Sequence, residues 1–152
     1  MTDTEARTPF SVAIAGVAGR MGRQLVAAAL DEGLVVAGGT EAPGKGPFDR
    51  DIGELAGRQT MAVPPATNAA VWIECTRPEA TIASLNALKH TRVSGVIIGT
   101  TGMSAAEEKE VARAAEHLAV VKAGNFSVGI NLLQALTRIA ASRLGEGWDI
   151  EI

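Results

Sequence analysis

Two rhythms of apolar and polar residues alternate along this chain. Short apolar runs rich in Val, Ile and Ala are each followed by a longer stretch with apolar residues three and four apart. The first rhythm fits buried strands and the second fits amphipathic helices. Ser11–Ala15 is the first strand candidate and ends at Gly16. Residues 20–32 then place Met21, Leu25, Val26, Ala29 and Leu30 at helical spacing, and Gly33 ends that helix. Leu34–Ala37 is a second strand, closing at Gly38, Gly39, Thr40 and Glu41.

Residues 42–68 break both rhythms. Pro43, Gly44, Gly46, Pro47, Gly53, Gly57, Pro64 and Pro65 predict a long excursion, with one short helix near Gly53 to Ala56. Alternation then resumes. Strands are predicted at Val71–Cys75, Gly95–Ile98 and Ala119–Lys122. A helix over Pro78–Thr91 starts on a proline at its first turn and carries Ile82, Leu85 and Leu88 on one face. A second, Ser104–Leu118, opens with a capping box of Ser104 and Glu107. The longest helix pattern is Gly129–Leu144, with Ile130, Leu133, Leu136 and Ile139 on a stripe. Residues 148–152 alternate apolar and polar, as a strand with one open face does.

Strand and helix in turn predict an α/β fold: a Rossmann-like, doubly wound parallel sheet with helices on both faces. Residues 1–10 read as a disordered lead, 11–127 as the domain built on that sheet, and 128–152 as a hinge helix and first strand of a further, incomplete domain. The C-terminal domain is expected to be absent or truncated here.

Composition narrows the function classes. Hydrophobic residues are 47%, charged residues 20% and aromatics only 3%, so an aliphatic core is available. A net charge of -3 argues against wholesale nucleic-acid binding. Cys75 is the only cysteine, which excludes an intramolecular disulfide and a thiolate zinc cluster, and no metal site is expected. No apolar run approaches the ~20 residues of a membrane helix, and no secretory segment opens the chain, so the expectation is a cytoplasmic protein without a membrane partner.

The seventeen glycines cluster usefully. Gly16, Gly19 and Gly22 follow the first strand at three-residue spacing and lead into a helix. A dinucleotide pyrophosphate needs such a turn: a tight reversal, a close approach free of side chains, and bare N–H groups at a helix start. Gly16 suits the turn, Gly19 the approach and Gly22 the helix–sheet contact. The spacing is G-x-x-G-x-x-G, with Ala18 between, and a Gly-rich turn that binds nothing remains the competing reading. Glu41 ends the second strand about 20 residues on, where a carboxylate accepts ribose hydroxyls; a solvated loop charge is its alternative. Arg20 either reaches phosphate or adenine, or is a solvated first-turn arginine.

Four segments, Gly16-Val-Ala-Gly-Arg-Met-Gly-Arg23, Cys75-Thr-Arg-Pro-Glu79, Val96-Ile-Ile-Gly-Thr-Thr-Gly102 and Ala123-Gly-Asn-Phe-Ser-Val-Gly-Ile-Asn131, taken in this order and with these gaps, resemble the N-terminal half of the 4-hydroxy-tetrahydrodipicolinate reductases. The resemblance runs from residue 11 to 152. It implies an NAD(P)H-dependent oxidoreductase of diaminopimelate and lysine biosynthesis, giving tetrahydrodipicolinate from 4-hydroxytetrahydrodipicolinate. By the resemblance, Gly16, Val17, Ala18, Gly19, Arg20 and Met21 hold the pyrophosphate and Glu41 the adenosine ribose. Thr76 and Arg77 lie against the cofactor. Gly99, Thr100 and Thr101 approach the nicotinamide ribose and ring, with Thr101 also near the substrate carboxylate. Ala123, Gly124, Asn125 and Phe126 line the other side of the nicotinamide pocket. The complete enzyme is implied to be a homotetramer that grips a small dicarboxylate with its second domain.

Departures from the family pattern sharpen the expectation. The family often has Asp-Phe where Glu74-Cys75 stands here, and Cys75 reads either as a small core residue or as a reactive thiol. Many members follow the acidic residue with an arginine suited to a 2′-phosphate, whereas Ala42 follows Glu41, so NAD(H) is preferred, or used alongside NADP(H) if Arg20 or Lys45 substitutes. The family's catalytic E-A-H-H-x-x-K-x-D-x-P-S-G-T segment is absent; no catalytic residue is assigned, and His90 and His117 do not replace it. The chain is therefore expected to bind cofactor and to be inactive alone. Other readings are a stand-alone NAD(P)-binding module, the cofactor domain of another Rossmann dehydrogenase such as a homoserine- or aspartate-type enzyme, and an interaction protein docking through the 129–144 helix.

Overall fold

A computed structural model of the chain describes residues 10–42, 51–57, 69–144 and 147–149. It divides into two compact units, Met1–Lys122 and Ala123–Ile152. The first holds β1 (Ser11–Ala15), α1 (Arg20–Asp31), β2 (Val35–Thr40), α2 (Ile52–Leu55), β3 (Val71–Glu74), α3 (Pro78–Leu88), β4 (Gly95–Ile98), α4 (Ala105–Ala114) and β5 (Ala119–Lys122). The second holds α5 (Val128–Leu144).

All five strands are parallel, in the order β2-β1-β3-β4-β5. Successive side chains of β1 feed opposite faces, as a pleated strand requires. Ala13 and Ala15 join Trp72, Val96 and Ile98 under Leu85 and Leu88 of α3 and Val111 and Ala114 of α4. Val12 and Ile14 turn the other way, to Val26 and Ala29 of α1 and Ile52 of α2. Helices thus cover both faces, and this double burial explains why the strands lack apolar–polar alternation. It also fixes the topology. The chain leaves β1 leftward through α1 to β2, then returns to β3 and proceeds rightward through α3 and α4. Right-handed crossovers in opposite directions must lie on opposite faces. The reversal leaves a crevice at the carboxyl ends of β1 and β3, where open parallel sheets bind ligands.

Several boundaries differ from the sequence pattern. β2 runs on through Gly38 and Gly39 to Thr40, with an extra residue at Ala37 between the Val12–Val36 and Ala13–Gly38 pairs. A Cβ on Gly39 would lie 2.0 Å from Val17 Cγ1 and 2.8 Å from the Ile14 carbonyl oxygen. Glycine there is a packing requirement within a strand, not a strand stop. α3 ends at Leu88, short of Thr91, because the Thr91 N–H and hydroxyl both donate to the Leu88 carbonyl. α4 ends at Ala114, where the N–H groups of His117 and Leu118 converge on the Ala114 carbonyl. The capping box of Ser104 and Glu107 forms as expected, and the Ser104 hydrogen bonds hold the Glu107 carboxyl below its ordinary range. The short helix α2 begins one residue earlier than expected, capped by Asp51. Residues 1–9 and most of the 42–68 excursion lie outside the described residues, as do positions 150–152 of the last strand candidate; Trp148 and Asp149 form no strand.

Candidate functional site

A cleft of about 1000 Å³ occupies the crevice between the ends of β1 and β3. Its walls are the turn into α1, the end of β2 at Glu41 and Ala42, and residues 75–77 leading into α3. The glycine turn is shaped by contacts a side chain would forbid. Gly16 takes a φ of +66° and its N–H donates to the Thr40 carbonyl at 2.7 Å. A Cβ on Gly22 would fall 2.1 Å from the Gly16 carbonyl oxygen, so α1 presses directly on the turn. The turn is fixed at Ala18 as well. The Ala18 N–H donates to Glu41 Oε2 at 3.0 Å, and its carbonyl accepts from Arg23 Nε at 2.9 Å. Glu41 also accepts from the Ala42 N–H at 3.1 Å.

Helix capping separates this cleft from the rest of the first unit. α2 and α4 have side-chain caps, from Asp51 and Ser104. α1, with Gly19 at its N-cap, and α3, with Arg77 at its N-cap, have no side-chain cap. These two uncapped N-termini open on the same cleft. Bare first-turn N–H groups and the positive ends of two helix dipoles therefore converge there, a setting that favours an anion. Arg20 and Arg77 line the cleft too, balanced by Glu41 and Glu79.

The candidate residues are distributed as follows. Gly16, Gly19, Arg20, Met21, Glu41, Thr76 and Arg77 all line the cleft. Val17 is buried in the α1 face of the core beside Ile14 and Val26, and neither it nor Ala18 lines the cleft. Gly99, Thr100 and Thr101 follow β4; the Gly99 N–H donates to the Glu74 carbonyl at 2.8 Å, Thr100 is buried and Thr101 is exposed. Ala123, Gly124, Asn125 and Phe126 belong to the second unit. There, Asn125 Oδ1 accepts from the Ser127 N–H at 2.7 Å, and Asn131 Nδ2 donates to the Ser127 carbonyl at 2.8 Å, bracing the start of α5.

Sequence reasoning missed part of the cleft. Ala80, Ala83 and Ser84 present a small-residue face of α3 to it, readable in their three- and four-residue spacing. Arg23, which secures the turn from within α1, carried no signal. A buried carboxylate was also missed: Glu74 is 1% exposed, accepts from Trp72 Nε1 at 3.1 Å and from the Thr76 hydroxyl. Cys75 lines the cleft half-buried. Burial pushes its thiol up, the Glu74 charge adds to that, and the Gly99 N–H opposes it. A raised thiol contributes stability that is complete below the unfolded thiol range and is lost as pH rises through the folded value. Cys75 is accordingly expected to alkylate more slowly than a free thiol at pH 7; iodoacetamide modification followed by mass spectrometry checks this, and a faster rate would contradict it.

His90 and His117 stand at the ends of α3 and α4, away from the cleft lining. Among the described residues no cluster of acidic, His and Cys side chains could hold a metal, and no helix is long and apolar enough to cross a membrane.

Comparison with known proteins agrees with this geometry. Residues 10–126 match the family model described as dihydrodipicolinate reductase, N-terminus. Proteins named 4-hydroxy-tetrahydrodipicolinate reductase are similar along the chain. That of Aromatoleum aromaticum is 42% identical over 151 residues, covering 95% of this chain and 54% of the relative. That of Cupriavidus necator is 41% identical, covering 94% and 56%, and that of Rubrobacter xylanophilus 43%, covering 93% and 54%. The chain thus spans about half the length of the curated relatives it matches. With the family model running from the start of β1 past the end of β5, through every strand that builds the cleft, the chain belongs to the dihydrodipicolinate reductase family and corresponds to its N-terminal part.

Proposed function

We propose that the cleft binds the pyrophosphate of a nicotinamide dinucleotide, and that the chain supplies the cofactor-binding half of a 4-hydroxy-tetrahydrodipicolinate reductase acting in diaminopimelate and lysine biosynthesis. The observation that carries this reading is the pair of uncapped helix starts, α1 and α3, facing one cleft beside a glycine turn on which α1 presses at Gly22. A diphosphate supplies the negative charge that these bare amides lack a partner for.

In this reading Gly16 to Met21 cradle the pyrophosphate and Glu41 takes the adenosine ribose. Thr76 and Arg77 form the opposite wall, and Gly99, Thr101 and the main chain of Thr100 meet the nicotinamide ribose and ring. Ala123 to Phe126 are assigned to the nicotinamide as well. Residues 11–127 serve as the dinucleotide domain, and 128–152 as a hinge helix leading to a substrate domain. The bound cofactor supplies a hydride; the protein supplies position and charge. A small dicarboxylate is bound, and the proton delivered, by the half that the relatives carry beyond this chain's span, with Thr101 reaching the substrate carboxylate. The chain alone is then inactive, and Thr101 is exposed and free to meet substrate.

Cofactor choice follows from Glu41 and Ala42. A 2′-phosphate would meet the Glu41 carboxylate and find no cation at Ala42, so NADH is expected to bind at least as tightly as NADPH. Ala42→Arg is expected to tighten NADPH about tenfold, since charge-assisted hydrogen bonds contribute roughly 1.5–3 kcal/mol. Titration calorimetry with both cofactors checks this, and a wild type that binds NADPH far more tightly would contradict it. The function itself is tested by assaying the chain alone and the chain joined to the C-terminal half of one of the matched reductases. Cofactor binding by both and turnover by the joined protein only is the expected result. Failure of the joined, folded protein to reduce the substrate would overturn the assignment.

A further inference from the structure

A run of threonine contacts ties the segment after β3, which borders the cleft, to the end of β4. The Thr76 N–H donates to Thr100 Oγ1 at 3.2 Å. Thr100 Oγ1 and Thr81 Oγ1 lie 2.9 Å apart. Thr81 Oγ1 donates to the Arg77 carbonyl at 3.0 Å. A hydroxyl has one proton to give. The Thr81 proton can therefore serve either Thr100 Oγ1 or the Arg77 carbonyl, which also accepts the Thr81 N–H at 2.9 Å. The contacts form a continuous chain from the Thr76 N–H through Thr100 Oγ1 and Thr81 Oγ1 to the Arg77 carbonyl. Both ends of the chain fall on the segment 76–77, and hydrogen bonds in such a chain polarise one another.

Thr76 is held from the other side too. Its hydroxyl donates to the buried Glu74 carboxylate, and its methyl sits where a Cβ on Gly16 would come within 3.1 Å. Thr76 is therefore fixed at its amide and its hydroxyl, while Arg77 beside it is exposed on the cleft wall. Thr81 and Thr100 are 0% and 3% exposed, so neither side chain is presented to a ligand.

We propose that Thr100 is a positioning residue: its buried hydroxyl, through Thr76 and Thr81, sets the β3–β4 rim and Arg77 in place for the nicotinamide-side half of the dinucleotide. This rests on the cofactor reading above. It assigns Thr100 a different task from its neighbours: Gly99 reaches β3 only through its N–H on the Glu74 carbonyl, and Thr101 is exposed. Valine copies the shape of threonine but removes the hydroxyl, leaving the Thr76 N–H without its acceptor.

The test compares wild type, Thr100→Val and Thr100→Ser by titration calorimetry with NADH and with ADP, alongside thermal unfolding. ADP carries the diphosphate that the glycine turn would hold but lacks the nicotinamide half. Thr100→Val is expected to weaken NADH about tenfold, the loss of roughly one hydrogen bond, and to weaken ADP by a clearly smaller factor, since ADP keeps its hold on the glycine turn of α1 and has no nicotinamide half to lose. Thr100→Ser is expected to restore NADH binding. If Thr100→Val does not fold, Thr81→Val breaks the same chain one link on and is expected to give the same NADH-against-ADP split. A folded valine variant that binds NADH like wild type, that weakens both ligands equally, or that serine does not rescue overturns the proposal. A wild type that binds neither ligand brings down the cofactor reading, and this inference with it.

Discussion

Gly22→Ala is expected to destabilise the fold by about 3 kcal/mol, at the upper end of overpacking penalties. The added Cβ would lie 2.1 Å from the Gly16 carbonyl oxygen, 2.7 Å from Val17 Cα and 2.8 Å from the Gly16 carbonyl carbon. All three atoms are backbone, so no side-chain rotation relieves the clash. Relief requires α1 to lift from β1, and α1 carries Val26 and Ala29 into the core with it. Alanine's better helix propensity, worth roughly 1 kcal/mol over glycine, does not offset a contact this short. Urea unfolding measures the change. A midpoint equal to that of wild type would mean that helix and turn are not pressed together as described.

Gly19→Val is expected to separate binding from folding. Gly19 has a φ of -70° and ψ of 167°, an extended conformation open to any residue, and it is exposed. Its Cβ would approach the Gly16 carbonyl oxygen at 3.1 Å, tight but within reach of a small adjustment. The branched side chain would then stand over the first amides of α1. Dinucleotide affinity is expected to fall on the order of 100-fold, about 2.7 kcal/mol, with little change in unfolding temperature. Paired with Gly22→Ala, this assigns different work to two glycines of one motif: Gly22 lets the helix reach the sheet, and Gly19 lets a phosphate reach the helix. A Gly19→Val protein that binds NADH like wild type would remove the pyrophosphate from that position.

Much of this arrangement was legible in the chain, for local reasons. A parallel sheet buried on both faces writes itself as β-branched runs, so β1, β4 and β5 could be placed to the residue, and Ser104 with Glu107 marked the start of α4. Where neighbours distant in sequence decide, the pattern misleads. Gly38 and Gly39 read as a stop, yet β2 continues through them because Val17 needs the space over Gly39. The site shows the same division. The glycine spacing pointed to the turn, and Glu41 to the end of β2. That the Glu41 carboxylate reaches back to the Ala18 N–H, and that Thr100 turns inward to Thr76 and Thr81, depends on how loops at separate strand ends meet. Nothing local distinguishes the inward Thr100 from the exposed Thr101 beside it. The Trp72–Glu74 contact was hidden likewise: a carboxylate inside an apolar strand shows its partner only once the pleat puts positions 72 and 74 on one face.

The most direct test follows the backbone amides themselves. In a ¹⁵N–¹H correlation spectrum of the chain titrated with NADH, the resonances of Gly19, Arg20 and Met21, together with Pro78's neighbour Glu79 at the start of α3, are expected to move first and furthest and to saturate together. Tight binding that leaves the α1 amides unmoved, with shifts clustered elsewhere, would contradict the account.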